Sequence, residues 1–210
     1  GEQNDCQLTS FHQNGKGISF THSMSDCTFS CDVLGRHQAM NGCAAYLVGH
    51  ELGMSDEEIV KGFLNVEATS LRNELMSIGK WCVLNDAYKS NPQSALAALE
   101  TFEHVAGHNR IAVLADMLEL GDTSPMLHEQ LGKACADFHL DKVFCLGSMA
   151  EFIAKGAREA GIADVRHFSE REALLSALVA ELDHEATVLF KGSRGMKLDE
   201  LIDQIKDRVK

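Results

Sequence analysis

Trp81-Cys82-Val83-Leu84-Asn85-Asp86-Ala87-Tyr88-Lys89-Ser90-Asn91-Pro92-Gln93-Ser94 is the stretch that decides the fold. Its first four residues are apolar and read as a buried strand; a cluster of polar groups then ends the strand just before a helix begins. Pro92 suits the first turn of that helix, where a missing N–H costs no hydrogen bond. A strand feeding directly into a helix is one unit of a parallel sheet, and side chains at its carboxyl end face a crevice rather than the core. Asp86, Tyr88 and Asn91 are therefore candidate binding residues. The plain alternative is an Asp/Asn-rich turn that merely closes the strand.

The same unit recurs downstream. Apolar strands are expected at 81–84, 111–114, 143–146, 165–168 and 187–190, with helical patterns at about 93–106, 124–138, 148–160, 169–182 and 196–208. Short continuous apolar strands alternating with helices imply a mostly parallel sheet covered on both faces. The expected fold class is α/β, a Rossmann-like doubly wound domain. Upstream, residues 1–34 read as β-rich. The runs 8–11 and 18–21 flank Gln13-Asn14-Gly15-Lys16-Gly17, a hairpin signal. This Asn-Gly-Lys lacks the upstream glycine and following Ser/Thr of a phosphate loop, so it reads as a turn. A well-buried helix is expected over 39–52 and a shorter one, opened by the capping box Ser55-Asp56-Glu57-Glu58, through about residue 64. Residues 65–79 are polar and expected to be irregular, which places the boundary there and gives domains 1–77 and 78–210.

Composition narrows the function classes. A formal charge of -12 disfavours non-specific binding to DNA, RNA or anionic lipid. No apolar run approaches the length of a bilayer span, and the N-terminal residues resemble no signal peptide. Seven cysteines, odd in number and scattered, fit a reduced, cytoplasmic protein. Cys27 and Cys31 are closely spaced, but no second pair completes a zinc site, so no metal ligand is assigned.

The chain has no Walker loop, Gly-x-Gly-x-x-Gly, Gly-x-Ser-x-Gly or His-Glu-x-x-His motif, so a site must be built from strand ends. Three are chemically loaded: 86–92, Asp116-Met117-Leu118-Glu119-Leu120-Gly121, and Lys191-Gly192-Ser193-Arg194-Gly195. In a parallel sheet these emerge on one edge. Lys191, Ser193 and Arg194, with two glycines at a helix start, suit an anionic group; a glycine-rich turn with solvated charges is the alternative. Asp116 and Glu119 could meet an amine or a metal, or cap the following turn. His128-Glu129-Gln130-Leu131-Gly132 lacks a second histidine and reads as an exposed helical face. His37 and Asn41 share one face of the upstream helix. An asparagine within an apolar helix needs a partner, and a bound purine would supply one.

Taken in order, Gly35-Arg36-His37 through Asn41-Gly42-Cys43-Ala44-Ala45, Leu71-Arg72-Asn73-Glu74, Asn85-Asp86-Ala87-Tyr88 with Asn91-Pro92, Asp116 to Gly121, His128 with Gly132, and Lys191-Gly192-Ser193-Arg194-Gly195-Met196-Lys197 resemble the Mur ligases of peptidoglycan synthesis. The resemblance covers nearly the whole chain. It is nearest to the members that add D-Ala-D-Ala to UDP-N-acetylmuramoyl-tripeptide. It implies the tail of a central ATPase domain followed by a whole C-terminal Rossmann-like domain that closes over ATP. The phosphate loop, the Mg2+ ligands and a modified lysine would lie in sequence absent from this chain, leaving it inactive alone. By the same resemblance His37 and Asn41 would lie by the adenine, Asp86 would accept from the ribose hydroxyls, and Tyr88 would belong to the nucleotide site. Arg72 would approach the phosphates as the catalytic cation. Asn91, Lys191, Ser193 and Arg194 would hold the incoming dipeptide. A monomer without nucleic-acid or membrane partners is expected. Lys89 and Gln38 each stand where the family commonly has asparagine. The rival readings are a stand-alone, non-catalytic nucleotide- or anion-binding α/β module and a folylpolyglutamate synthetase of the same superfamily.

Overall fold

The computed structural model describes residues 5–66 and 70–209. The chain divides into two compact units, Gly1–Thr69 and Ser70–Lys210.

In the first unit, strands β1 (Leu8–Gln13), β2 (Ile18–His22) and β3 (Ser25–Cys31) form an antiparallel sheet in that order. The Asn-Gly-Lys segment is the expected turn: Asn14 Oδ1 accepts from the N–H groups of Lys16 and Gly17 at 2.8 and 3.0 Å. Helices α1 (Arg36–Glu51) and α2 (Asp56–Phe63) follow, and the capping box of Ser55 and Glu58 opens α2 as expected. The core is aromatic, with Phe20 stacked on Phe29 and the Phe63 ring edge-on to both. Helix α1 is less buried than its composition suggests. Only Ala39, Gly42, Cys43, Tyr46 and Gly49 turn inward, while Met40 and Val48 remain exposed. Helical periodicity gives one face to the core, and small residues on that face let the helix approach the Phe20 ring.

The second unit holds β4 (Glu74–Ile78), β5 (Trp81–Asp86), α3 (Pro92–Glu103), β6 (Arg110–Ala115), α4 (Ser124–Ala134), β7 (Lys142–Leu146), α5 (Ala150–Glu159), β8 (Asp164–Phe168), α6 (Arg171–Val179), β9 (Ala186–Lys191) and α7 (Leu198–Val209). Sheet order is β4-β5-β9-β6-β7-β8, parallel except for β4, which pairs antiparallel with β5. All five expected strands are present. Strand β4 corrects the expectation of irregular chain over 65–79. It is an edge strand with Leu75 and Ser77 exposed and Ile78 buried, so half of its side chains are free to be polar.

Strand alternation builds both layers of this unit. Val83, Ile111, Val113, Phe144, Val188 and Phe190 share one core cluster with Leu174, Leu178, Leu201, Ile202 and Ile205 of α6 and α7. The intervening Leu84, Ala112, Leu114, Val143, Cys145 and Leu189 are equally buried and face the opposite way. Helices α3 and α5 pack there, and α4 packs against both of them. This two-sided burial explains the continuous apolar runs in the sequence. The seven cysteines are free thiols, and burial pushes that of Cys135 up to about 12.

Candidate functional site

Adjacent parallel strands β5, β9 and β6 bring three exits to one edge of the second unit. The β9 exit binds the other two together. Lys191 lies opposite Asp86 in the β5–β9 ladder, and its Nζ is 3.1 Å from Asp86 Oδ2. Its ammonium also donates to the carbonyls of Asp86, at 3.3 Å, and of Lys89. Two residues on, Ser193 Oγ accepts from the Leu118 N–H at 2.9 Å and donates to the Ser90 carbonyl at 3.5 Å. The Ser193 N–H donates to the Asp116 carbonyl at 3.2 Å.

The predicted convergence is therefore present, with a different division of labour. Lys191, expected to face an anion, is only 1% exposed and its three N–H groups already have acceptors. Burial lowers its pKa from the ordinary lysine value, and the Asp86 charge opposes that shift. Ser193 is likewise buried. Asp86 is half-buried with both oxygens engaged, one by Lys191 and the other by the Asn73 N–H at 3.3 Å.

Asp116 caps a helix, but not the one following it. Its Oδ1 accepts from the Ala150 N–H at 2.7 Å at the start of α5. Gly147, at φ 115°, makes room: a Cβ there would lie 2.4 Å from Asp116 Oδ1. A carboxylate thus occupies a helix N-terminus of the kind that attracts phosphate in dinucleotide-binding folds. Glu119 is exposed in a left-handed conformation.

His128 is the sharpest correction. It is 0% exposed rather than part of a solvated face. Its Nδ1 lies 2.7 Å from the Ser124 carbonyl and donates to it, which leaves Nε2 to accept the Met117 N–H at 2.9 Å. The signal in the sequence was the stripe His128, Leu131, Cys135, spaced for one buried helical face; all three are buried.

Arg72 rides on an unusual turn. Leu71 and Asn73, its neighbours, have φ of 62° and 48°. Asparagine tolerates this region, whereas leucine is strained there. Four hydrogen bonds and contacts hold the turn: Leu71 N–H to Glu74 Oε2 at 3.1 Å, Asn73 N–H to Asp86, the Tyr88 N–H to the Leu71 carbonyl at 3.1 Å, and the Arg72 guanidinium over the Tyr88 ring at 4.4 Å. The Arg194 guanidinium approaches the same ring at 5.4 Å. Both arginines are exposed, and neither forms an ion pair with a described residue. Asn91 is the N-cap of α3, its Oδ1 accepting from the Ser94 N–H at 2.8 Å.

In the first unit, His37 is half-buried in the first turn of α1, which carries no acidic residue and starts from Gly35 at φ 105°. Asn41, expected to be buried and in need of a partner, is exposed and donates to Gln38 Oε1 at 3.1 Å.

Residues 71–194 match the family described as Mur ligase, glutamate ligase domain. A Bacillus subtilis protein named UDP-N-acetylmuramoyl-tripeptide–D-alanyl-D-alanine ligase is 36% identical over 98% of this chain and 46% of its own length. Its Escherichia coli namesake is 30% identical over 97% and 45%. Among solved structures, MurF from Acinetobacter baumannii superposes with a TM-score of 0.88 at 26% identity, over 99% of this chain and 46% of that one. MurF ligase from Thermotoga maritima in complex with ADP shares the fold at a TM-score of 0.81 and 19% identity, over 100% and 48%. The chain spans about half the length of these relatives. On the family match, the relatives and the shared fold together, this chain belongs to the Mur ligases.

Proposed function

We infer that this chain forms part of an ATP-dependent amide ligase that joins D-Ala-D-Ala to UDP-N-acetylmuramoyl-tripeptide through an acyl phosphate. The observation that carries the reading is the pair of exposed guanidiniums, Arg72 and Arg194, that approach one tyrosine ring at 4.4 and 5.4 Å, neither in an ion pair with a described residue. Exposed guanidiniums that meet no carboxylate among the described residues are open to an anion, and the strained turn under Arg72 is the kind of backbone that persists at working sites.

In this reading Arg72 neutralises phosphoryl charge as it moves from ATP to the substrate carboxylate, and Arg194 meets the carboxylate of the incoming dipeptide beside the Asn91 amide. Asp86 accepts from ribose hydroxyls, Tyr88 completes the nucleotide side, and His37 and Asn41 are the proposed purine contacts. Lys191 and Ser193 serve the dipeptide side. ATP supplies the activating phosphoryl group, and Mg2+ accompanies it with ligands in sequence beyond this chain. Positioning and charge neutralisation dominate in such transfers, and an arginine acting on a transferred phosphoryl is worth about 10³-fold or more. A cytoplasmic monomer fits the reading, and no helix among the described residues is long and apolar enough to cross a membrane.

The test is ADP formation by the intact protein. It should require both UDP-N-acetylmuramoyl-tripeptide and D-Ala-D-Ala, and Arg72→Ala should lower kcat by about 10³-fold or more. ADP formation driven instead by glutamate and a folate would replace this reading with the synthetase rival. The 210-residue chain alone should form no ADP from ATP and both substrates.

A further inference from the structure

We propose that Lys191 is a positioning residue: from a buried seat it holds the 86–89 turn, and through it the Tyr88 ring that Arg72 and Arg194 approach, touching no substrate itself. The proposal rests on the reading of the two arginines as an anion seat and changes how Lys191 serves it.

Three observations converge. All three ammonium hydrogens are directed at the β5 exit, to the Asp86 carboxylate, the Asp86 carbonyl and the Lys89 carbonyl. The side chain is 2% exposed, so no ligand reaches the ammonium unless those bonds break. The two carbonyls bracket Ala87 and Tyr88, whose ring meets both guanidiniums and whose N–H holds the Leu71 carbonyl next to Arg72. The same carboxylate that pairs with Lys191 accepts the Asn73 N–H on the other side of Arg72. Lys191 thus reaches Arg72 along two short routes, one through Tyr88 and one through Asp86. Its partner across the ladder is 105 residues distant in sequence, so the contact exists only once β9 has inserted beside β5.

A ligand contact and a positioning residue make different predictions. Loss of a contact weakens binding but leaves the free protein unchanged, whereas loss of a positioning residue alters the free protein first. The experiment uses the intact protein that carries this chain, with hydrogen exchange at the Tyr88 amide and ADP as the binding probe. In Lys191→Met, exchange at Tyr88 without ligand should rise by about tenfold or more, as a local opening becomes easier. ADP affinity should fall by about tenfold, the size of one mis-set charged hydrogen bond. In a Tyr88→Ala background the same substitution should change ADP affinity no further, because residues acting as one unit are non-additive. Unchanged exchange at Tyr88 overturns the proposal. Additive losses in the two backgrounds overturn it too, since direct contact or general destabilisation would add. If Lys191→Met does not fold, Asp86→Asn with Lys191→Met leaves no buried charge yet still removes the ties to both carbonyls, and the same exchange result is required of it. If the unsubstituted intact protein binds no ADP, the nucleotide reading fails on its own, and exchange at Tyr88 alone decides the role of Lys191.

Discussion

Replacing His128 by Leu should destabilise the second unit by about 2–3 kcal/mol, and Gln should recover a large part of that loss. The imidazole is wholly buried and bonded at both nitrogens, with Nε2 accepting from Met117 N–H and Nδ1 donating to the Ser124 carbonyl. Leucine fills a similar space but strands the Met117 N–H, and a buried unpaired donor costs about 1–3 kcal/mol. The Ser124 carbonyl loses a donor but lies at the first turn of α4, where rearrangement is easier, so most of the cost falls on Met117. A glutamine amide oxygen can stand in for Nε2 and restore that bond. Urea unfolding gives the stability difference, and hydrogen exchange at the Met117 amide shows where it arises. The loop between Asp116 and Gly121 should loosen first, since the Met117 N–H is one of its few ties, beside the Leu118 N–H on Ser193 and the Leu120 carbonyl on the Thr123 hydroxyl. If Leu and Gln prove equally damaging, or the Met117 amide exchanges no faster in the leucine variant, the loop is not held by the histidine.

Gly132→Ala and Gly156→Ala should each destabilise by about 1–3 kcal/mol or more, although alanine is worth about 1 kcal/mol over glycine in an open helix. A Cβ at Gly132 would lie 2.1 Å from the Ile153 carbonyl oxygen and one at Gly156 2.2 Å from that of Glu129, so α4 and α5 would have to separate; thermal unfolding checks the sign. Lys133 and Lys155 push the Glu129 carboxyl down from 4.5 to about 2, so its ion pairs stabilise fully above 4.5 and are lost as pH falls toward 2. The stability gap between Glu129→Gln and the parent should therefore shrink as urea titrations move from pH 5 toward pH 2; a gap that widens on acidification would refute the assignment. Leu71→Gly should relieve a left-handed leucine costing about 1–2 kcal/mol, and offset part of that gain through greater freedom of the unfolded chain. Arg72 should become less well placed even so, so that ADP binding weakens while unfolding stability holds or rises; if both fall together, the turn is not strained.

What could be read from the sequence was what depends on neighbours in sequence. The five parallel strands were legible because each is buried on both faces, so every residue from 111 to 114, for example, had to be apolar. Pro92 and the Asn91 cap marked a helix start by local chemistry, and the order of loaded exits followed from parallel topology alone. Strand β4 was hidden because an edge strand buries only alternate side chains, and Glu74-Leu75-Met76-Ser77-Ile78 carries too little apolar signal to stand out. His128 is hard to place because the polar Glu129 and Gln130 beside it mask its stripe with Leu131 and Cys135, and its partner, the Met117 N–H, is a backbone group eleven residues upstream.

Lys191 shows the deeper limit. By residue type, a lysine in a glycine-rich exit suits an anion, yet Lys191 is buried while Arg194, three residues later, is exposed and forms no ion pair with a described residue. The difference between the two is register. Lys191 is the last residue of β9 and lies directly opposite Asp86, the last residue of β5, so the ladder itself matches the charges and closes the pair inside the edge. Arg194 lies past the ladder, in a 3₁₀ turn, where no strand faces it. A buried ammonium with its full set of acceptors is strongly committed, because removing one partner leaves an uncompensated charge that costs about 3–5 kcal/mol. The same arithmetic leaves the exposed arginines open to an anion: among the described residues they have no buried ion-pair partner to abandon. Pairing across the sheet therefore separates Lys191, which builds the rim, from Arg72 and Arg194, which stay exposed on it.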